Sequence, residues 1–325
     1  MKKLLFVTSA LAMSVGVSGA FAMGGAEISV SGNSKWTYKD ISTQNTDNGK
    51  NATSFGIGNT VTFASEAVSD SGLTYGTSLS ILDDGSTLGD DGMKLYIKGS
   101  FGEIRTGTGS AGDTFGADAT GAVEGEESPV SAGDFVGKSA DNSLTYYTPT
   151  VQEFEAALTI TDAGNDSDAD SSEFGISFTT LIGKEELILQ YAMADVSKNG
   201  KEGSDAKGAT DAQSVGLKYS FGDINLTLAH NESTTDDADG AKEADVTSFG
   251  FGLTYPISDD LKLGLHSVDG EDKGDGTEAK SEFSEAALSL TYTIAPGLTT
   301  NLAYADYEDS GTSGSSTAAY IKVSF

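Results

Sequence analysis

The chain has 325 residues, no cysteine, and 49 Asp and Glu against 19 Lys and Arg, for a formal net charge of −30. So acidic a surface repels nucleic acid, and the missing thiols exclude disulfides, thiolate zinc sites and thiol catalysis. After residue 22 no apolar stretch approaches the roughly 20 residues a membrane-crossing helix needs, so any membrane role falls to strands.

Residues 1–22 have the form of an export signal. Lys2 and Lys3 precede a mostly apolar run, and Ala20-Phe21-Ala22 is an A-x-A cleavage site. The expected mature chain is 23–325.

From residue 27 onward, segments of about ten residues alternate apolar and polar, the period of a strand. In 27–38, Ile28, Val30, Trp36 and Tyr38 share one face, and Ser29, Ser31, Asn33, Lys35 and Thr37 share the other. Segment 54–64 places Phe55, Ile57, Val61 and Phe63 on one face, with Asn59 as the exception, and 72–82 does the same with Leu73, Tyr75, Leu79 and Ile81. The pattern continues through 93–100, 103–107, 142–148, 152–161, 173–180, 185–193, 213–221, 223–230, 246–255, 260–268, 283–294, 298–307 and 317–325. These make about sixteen strands.

The connections alternate in length. Short ones fall at 66–71, 101–102, 149–151, 181–184, 221–223, 256–259 and 295–297, and Pro149, Pro256 and Pro296 sit among them, where no ladder donor is needed. Long acidic ones fall at 39–53, 83–92, 108–141, 162–172, 194–212, 231–245, 269–282 and 308–316. A membrane barrel sorts its loops this way because its two rims face different compartments. The expected fold is therefore all-β: a transmembrane antiparallel β-barrel of about 16 strands, with short turns in the periplasm and long loops outside. The apolar face would meet lipid and the polar face would line the bore. Tyr38, Phe63, Phe101, Tyr146, Tyr219, Tyr255, Tyr292 and Phe325 cluster near strand ends, the place of an aromatic girdle.

Some stretches go beyond pattern. Lys94-Leu-Tyr-Ile-Lys-Gly-Ser-Phe-Gly-Glu-Ile-Arg-Thr-Gly107 resembles the strand–turn–strand of Gram-negative general diffusion porins, and Asn142-Ser-Leu-Thr-Tyr-Tyr-Thr-Pro149 resembles the strand after their constriction loop. The terminal Tyr320-Ile-Lys-Val-Ser-Phe325 resembles the signal read by the outer-membrane assembly machinery. The plan is similar to the 16-stranded trimeric porins of alphaproteobacterial type. The resemblance implies an outer-membrane homotrimer that passes small hydrophilic solutes and ions. It also implies that the third extracellular loop, here about 108–141, folds into the bore, and Asp113-Thr-Phe-Gly116 resembles the family's acid-Phe-Gly element in that loop.

That loop carries Asp113, Asp118, Glu124, Glu126, Glu127 and Asp134, the expected acidic side of a constriction. Lys35, Lys94, Lys98 and Arg105 fall on the polar face of the early strands and form the expected basic side, with Lys94 nearer the rim. The family often has Arg after the fifth strand's Gly; here Thr108 follows Gly107, which thins the basic set. The acid excess predicts a preference for cations.

Other chemistries find little support. His230 and His266 are expected as polar residues at strand ends, and no G-x-S-x-G element accompanies them, so the chain reads as no enzyme. The run 162–173 fails the EF-hand pattern, because Ser171 stands where Gly is needed. No cofactor and no specific metal site is expected, only diffuse Ca²⁺ or Mg²⁺ joining the acidic loops to lipopolysaccharide. The glycine-rich stretch 107–112 follows a strand with no helix expected after it, which argues against a phosphate cradle. A second reading of the whole keeps the barrel as an anchor for a surface adhesin or structural protein acting through its acidic loops.

Overall fold

The computed structural model of the chain describes residues 27–43, 52–83, 88–124, 143–162, 170–197, 209–236, 242–274 and 280–325. The expected signal segment 1–22, together with Glu126, Glu127 and Asp134, lies outside the described residues.

Sixteen strands form one closed antiparallel barrel in which each strand pairs with its sequence neighbours. They are β1 (Glu27–Thr43), β2 (Ala52–Val68), β3 (Thr74–Asp83), β4 (Leu88–Gly99), β5 (Gly102–Gly107), β6 (Ser143–Tyr147), β7 (Phe154–Thr161) and β8 (Ser171–Ile182), then β9 (Glu185–Val196), β10 (Thr210–Phe221), β11 (Ile224–Asp236), β12 (Lys242–Ser258), β13 (Leu261–Asp272), β14 (Ser281–Ala295), β15 (Leu298–Asp309) and β16 (Thr312–Ser324). Closure runs from Asn33↔Ser324 to Thr43↔Gly314 between β1 and β16. Gly32 and Phe325 add reciprocal backbone bonds of 2.9 and 3.0 Å at the seam. A closed ladder leaves no edge, which a sheet in hydrocarbon requires.

The alternation becomes two faces of different chemistry. Ile57, Phe63, Leu95, Ile160, Leu290, Leu302 and Ile321 stand exposed on one side. The other side carries Ser, Thr, Ala, Gly, Asn and Glu, many of them buried: Thr145, Thr159, Glu173, Ser214, Asn231, Ser289 and Asn301. A surface of large apolar side chains wrapping the whole molecule far exceeds the few hundred Å² a soluble monomer exposes, and lipid is the solvent that accepts it. The outward aromatics fall toward the rims. Tyr219 and Phe221 stack at 5.6 Å and Tyr146 donates to the Phe101 carbonyl at 2.7 Å, both near the short-turn end. Tyr38 packs on Phe55 at 5.2 Å in the other half.

Three expectations about the connections need correction. First, most strands run further toward the long-loop rim than their alternation shows: β11 reaches Asp236 and β12 begins at Lys242. Beyond the apolar band, outward positions also become polar (Asp269, Glu271, Glu282, Asp306), so period two fades while the ladder continues. Second, 308–316 is not a long loop. Asp309 pairs with Thr312 across the two-residue turn Ser310-Gly311, both at positive φ (51° and 77°), the geometry of a tight primed hairpin. The connection between β3 and β4, 84–87, is likewise no longer than 69–73 on the opposite rim, so the short–long rhythm fails at both places. Third, a helix does open after the glycine-rich stretch: α1 (Ala111–Phe115), capped reciprocally by Ser110 and Asp113.

The assignment of faces makes a prediction. Leu302→Arg on the outer face should cost about 2–4 kcal/mol in equilibrium refolding into lipid vesicles, whereas Thr60→Arg on the inner face should stay within roughly 0.5 kcal/mol of the unmodified chain. Equal costs at the two positions would reverse the faces.

Candidate functional site

The longest connection leaves β5 and at once turns onto the inner wall. From Gly109 to Glu124 it meets β6 to β16 in order. The Gly109 and Ser110 carbonyls accept from Thr145 (3.4 Å) and Tyr147 (3.2 Å) of β6. The Ala111 amide donates to Thr159 Oγ1 of β7 and the Gly112 amide to the buried Glu173 of β8, both at 2.8 Å. Gln190 of β9 donates to the Thr114 carbonyl at 3.3 Å. Ala117 donates to Ser214 of β10 (2.8 Å) and accepts from Asn231 of β11 (3.2 Å). His266 of β13 meets the Thr120 carbonyl at 3.2 Å, and Glu124 N donates to Ser289 of β14 at 3.2 Å. Val123 packs with Ala303 and Ala305 of β15. Tyr320 of β16 donates to Glu124 at 2.7 Å. Ten inter-strand spacings of about 4.8 Å exceed what sixteen residues with a helical turn could follow around the outside. The segment takes the shorter inner path.

The wall is carved to receive it. A Cβ on Gly175 would lie 2.4 Å from the Phe115 ring, on Gly216 2.6 Å from Ala117 Cβ, on Gly252 2.3 Å from the Ala119 carbonyl, and on Gly264 2.0 Å from the Ala122 carbonyl. These glycines stand on β8, β10, β12 and β13 and form a groove through which the loop backbone passes. Glycine inside a strand marks such close approach. The sequence carries the signal as single glycines inside otherwise regular strands, but it does not say what approaches them.

The buried side of the loop is Ala111, Phe115, Ala117, Ala119 and Val123, while Asp113 and Asp118 are exposed on its free side. Both carboxylates are also held by the loop itself. Asp113 accepts from Ser110 N at 2.9 Å, and Asp118 accepts from the amide and hydroxyl of Thr120 at 2.7 Å. Glu124 is different, because it turns back to the wall and pairs with Lys262 and Tyr320. Burial pushes its carboxyl up, but hydrogen bonds from Lys262 and Tyr320 and the charges of Lys262 and Lys322 outweigh that and hold it below the ordinary carboxylate value.

The four expected bases all lie on the inner face. Arg105 pairs with Glu103 at 2.7 Å and lies 4.7 Å over the Tyr147 ring. Lys98 pairs with Glu66 at 3.3 Å. Lys94 and Lys98 flank the Tyr96 ring at 5.5 and 5.3 Å. Lys94 is well inside the barrel, opposite Gly107, rather than near the rim. Lys35 lies 5.5 Å from the Tyr320 ring. Four further bases stand at inner-face positions, Lys39, Lys218, Lys262 and Lys322, and none of them was singled out in the sequence. Lys322 is in register with Lys35. The histidines need correcting as well. His266 is buried in mid-strand and 2.6 Å from Glu285. His230 is on the outer face, 3.0 Å from Glu232. Among the described residues no group of three or more His, Cys, Asp and Glu could hold a metal ion.

A family model described as Gram-negative porin matches residues 8–312. No curated protein matches the sequence. Similar solved structures include a loop-deletion mutant of OmpT, an outer membrane protein of Vibrio cholerae, with TM-score 0.75 and 13% identity over 92% of this chain and 99% of that one. The anion-selective porin of Comamonas acidovorans has TM-score 0.71 and 16% identity over 92% and 100%. A mutant of the Rh. blastica porin has TM-score 0.62 and 12% identity over 92% and 100%.

Two outcomes follow from the seat of the loop. Gly264→Ala should lift Ala122 from the wall and change single-channel conductance, while Gly58→Ala, with nothing within 4 Å of the added carbon, should leave it unchanged. The lowered Glu124 value means that its pairing is complete above the ordinary carboxylate value of about 4.3 and is lost as pH falls through the lower folded value. Open-channel current noise should rise in acid below about pH 4, and E124Q should show that noise already at neutral pH with no further acid step.

Proposed function

Because the chain belongs to the Gram-negative porin family and its outer-membrane barrel is that of a channel, we propose that it conducts small hydrophilic solutes and ions passively and carries out no chemistry. One observation supports this above the others: residues 109–124 of the longest connection contact the inner wall strand by strand, the course a bore-narrowing loop would take. The constriction in this reading has Asp113 and Asp118 on one side and Lys35, Lys94, Lys98 and Arg105 on the other, joined by Lys322. Glu124 belongs to the fastening of the loop, and the remaining acids of 108–141 (Glu126, Glu127 and Asp134) extend the acidic side. A field set up between two such walls orients dipolar solutes and disfavours apolar ones. A homotrimer accords with the trimer form of the V. cholerae OmpT structure, similar at TM-score 0.70 and 12% identity over 92% of this chain and 99% of that one.

Selectivity for cations is part of the proposal, and its source is specific. Glu66 and Glu103 pair with Lys98 and Arg105, and Glu124 pairs with Lys262. The described acids and bases of the narrow zone thus nearly offset one another. The preference comes instead from the surplus of the whole chain, −30 formally, acting through water. Such a field is screened within about 10 Å at 0.1 M salt and about 3 Å at 1 M.

Purified protein in a planar bilayer should give discrete conductance steps; none would leave the anchor reading standing. In a salt gradient the reversal potential should favour cations at about 0.1 M and lose most of that preference near 1 M. The double variant D113N/D118N should weaken the preference without abolishing it at low salt. A reversal potential favouring anions at low salt would overturn this part of the proposal.

A further inference from the structure

We propose that Lys35 and Lys322 form a subsite in the bore for a compact, doubly charged oxyanion: a phosphate group, free or carried by a small organic solute. It rests on the channel reading above, which supplies the route by which such a solute arrives. Lys322 of β16 and Lys35 of β1 stand directly opposite each other in the ladder that closes the barrel. Like charges so placed, with Cβ atoms about 4.5–5.5 Å apart, destabilise the pairing. Their repulsion favours side chains that splay apart. Yet Lys35 reaches over the Tyr320 ring at 5.5 Å, and so leans toward β16, the strand of Lys322. Tyr320 is itself fixed by its 2.7 Å donation to Glu124.

Among the described residues no acid relieves the pair. Lys98, Arg105 and Lys262 each have a carboxylate within ion-pair distance, whereas neither Lys35 nor Lys322 has one among those residues. Thr299 and Gly58 complete their register row, and Asn301, Tyr320, Thr37 and Gly56 form the next; none is charged. The loop carboxylate that reaches this side of the bore, Glu124, is taken up by Lys262 and Tyr320. There is also room, because a Cβ added to Gly56 or Gly58 would meet nothing within 4 Å.

The chemistry selects the occupant. Two ammonium groups offer only donors. A chloride ion offsets one of the two charges. A phosphate dianion offsets both, and its several oxygens accept charge-assisted hydrogen bonds. Lysine binds phosphate as a point charge, without the planar match that arginine requires, which suits two flexible arms over an open bay. A preference for cations does not oppose this. That preference acts over distance and is screened by salt, while the subsite acts in contact. Occupancy also reaches the fold, since the anion relieves a repulsion inside the closing ladder.

The test uses the full barrel, in detergent for heat unfolding and in a planar bilayer for current. Inorganic phosphate or a sugar phosphate is compared with KCl of equal ionic strength at about pH 8, above the second phosphate pKa. Phosphate should raise the unfolding midpoint and, at millimolar levels, interrupt the single-channel current in brief blocks. K35Q and K322Q, made separately, should each raise the midpoint in KCl alone, because each ends the repulsion. Each should also weaken both phosphate effects several-fold, while K218Q on β10 should leave them unchanged. A response to the sugar phosphate assigns the site to organic phosphates, and a response to inorganic phosphate alone assigns it to the free ion; either upholds the pair. Phosphate effects as large in K35Q and K322Q as in the unmodified chain, or none beyond those of KCl, would overturn the proposal. Should no conductance step appear while the lysine-dependent midpoint shift persists, the channel reading fails and the oxyanion site stands.

Discussion

The pairing of β1 with β16 is the constraint on which everything else depends. Through it every strand has two neighbours, so every backbone donor and acceptor in the apolar band can be satisfied within the chain. Closure also divides the side chains. Once the sheet is a cylinder, alternate residues can only point to lipid or to the bore, and the apolar set takes the larger outer surface. The molecule therefore has no hydrophobic core of the usual kind. Among the described residues the buried apolar ones are mostly alanines, and Phe115 is the largest side chain buried to 2% exposure or less.

A bore lined in this way has little apolar surface with which to hold an inserted segment. The loop is held by a different means, polar contacts taken one strand at a time, with glycines cut into the wall so that its backbone can approach. Such contacts are individually modest, about 1 kcal/mol each, but Glu173, Ser214, His266 and Ser289 come from four different strands. No single opening motion releases them together. The exposed carboxylates Asp113 and Asp118 gain fixed positions in consequence, because the turns they cap are themselves pinned.

Much of this was legible in the residues. All sixteen strands were visible because lipid enforces a strict period of two on the outer face. Their outer ends were not, because beyond the apolar band residues such as Asp269, Glu271 and Asp306 are polar while the ladder continues. The same blurring placed His266 near a strand end, when β13 runs on to Asp272. The turn Ser310-Gly311 was hidden inside a Ser/Gly/Asp-rich run that reads as loop. The acids of the third loop could be named, but not sorted into those facing water and the one, Glu124, turned to the wall. That sorting depends on Lys262 and Tyr320, 138 and 196 residues away in sequence, a distance over which no local pattern speaks.

The order in which the loop meets the wall carries a consequence for assembly. Its seat begins on β6 and ends on β16, the last strand of the chain. The final fastening, Glu124 against Tyr320, has no partner until that strand has entered the sheet. A barrel lacking its last strand would have an open seam and an unfinished seat at the same time. Narrowing of the bore is thereby tied to completion of the cylinder, and a half-built intermediate differs from the finished protein in the width of its passage as well as in its missing ladder.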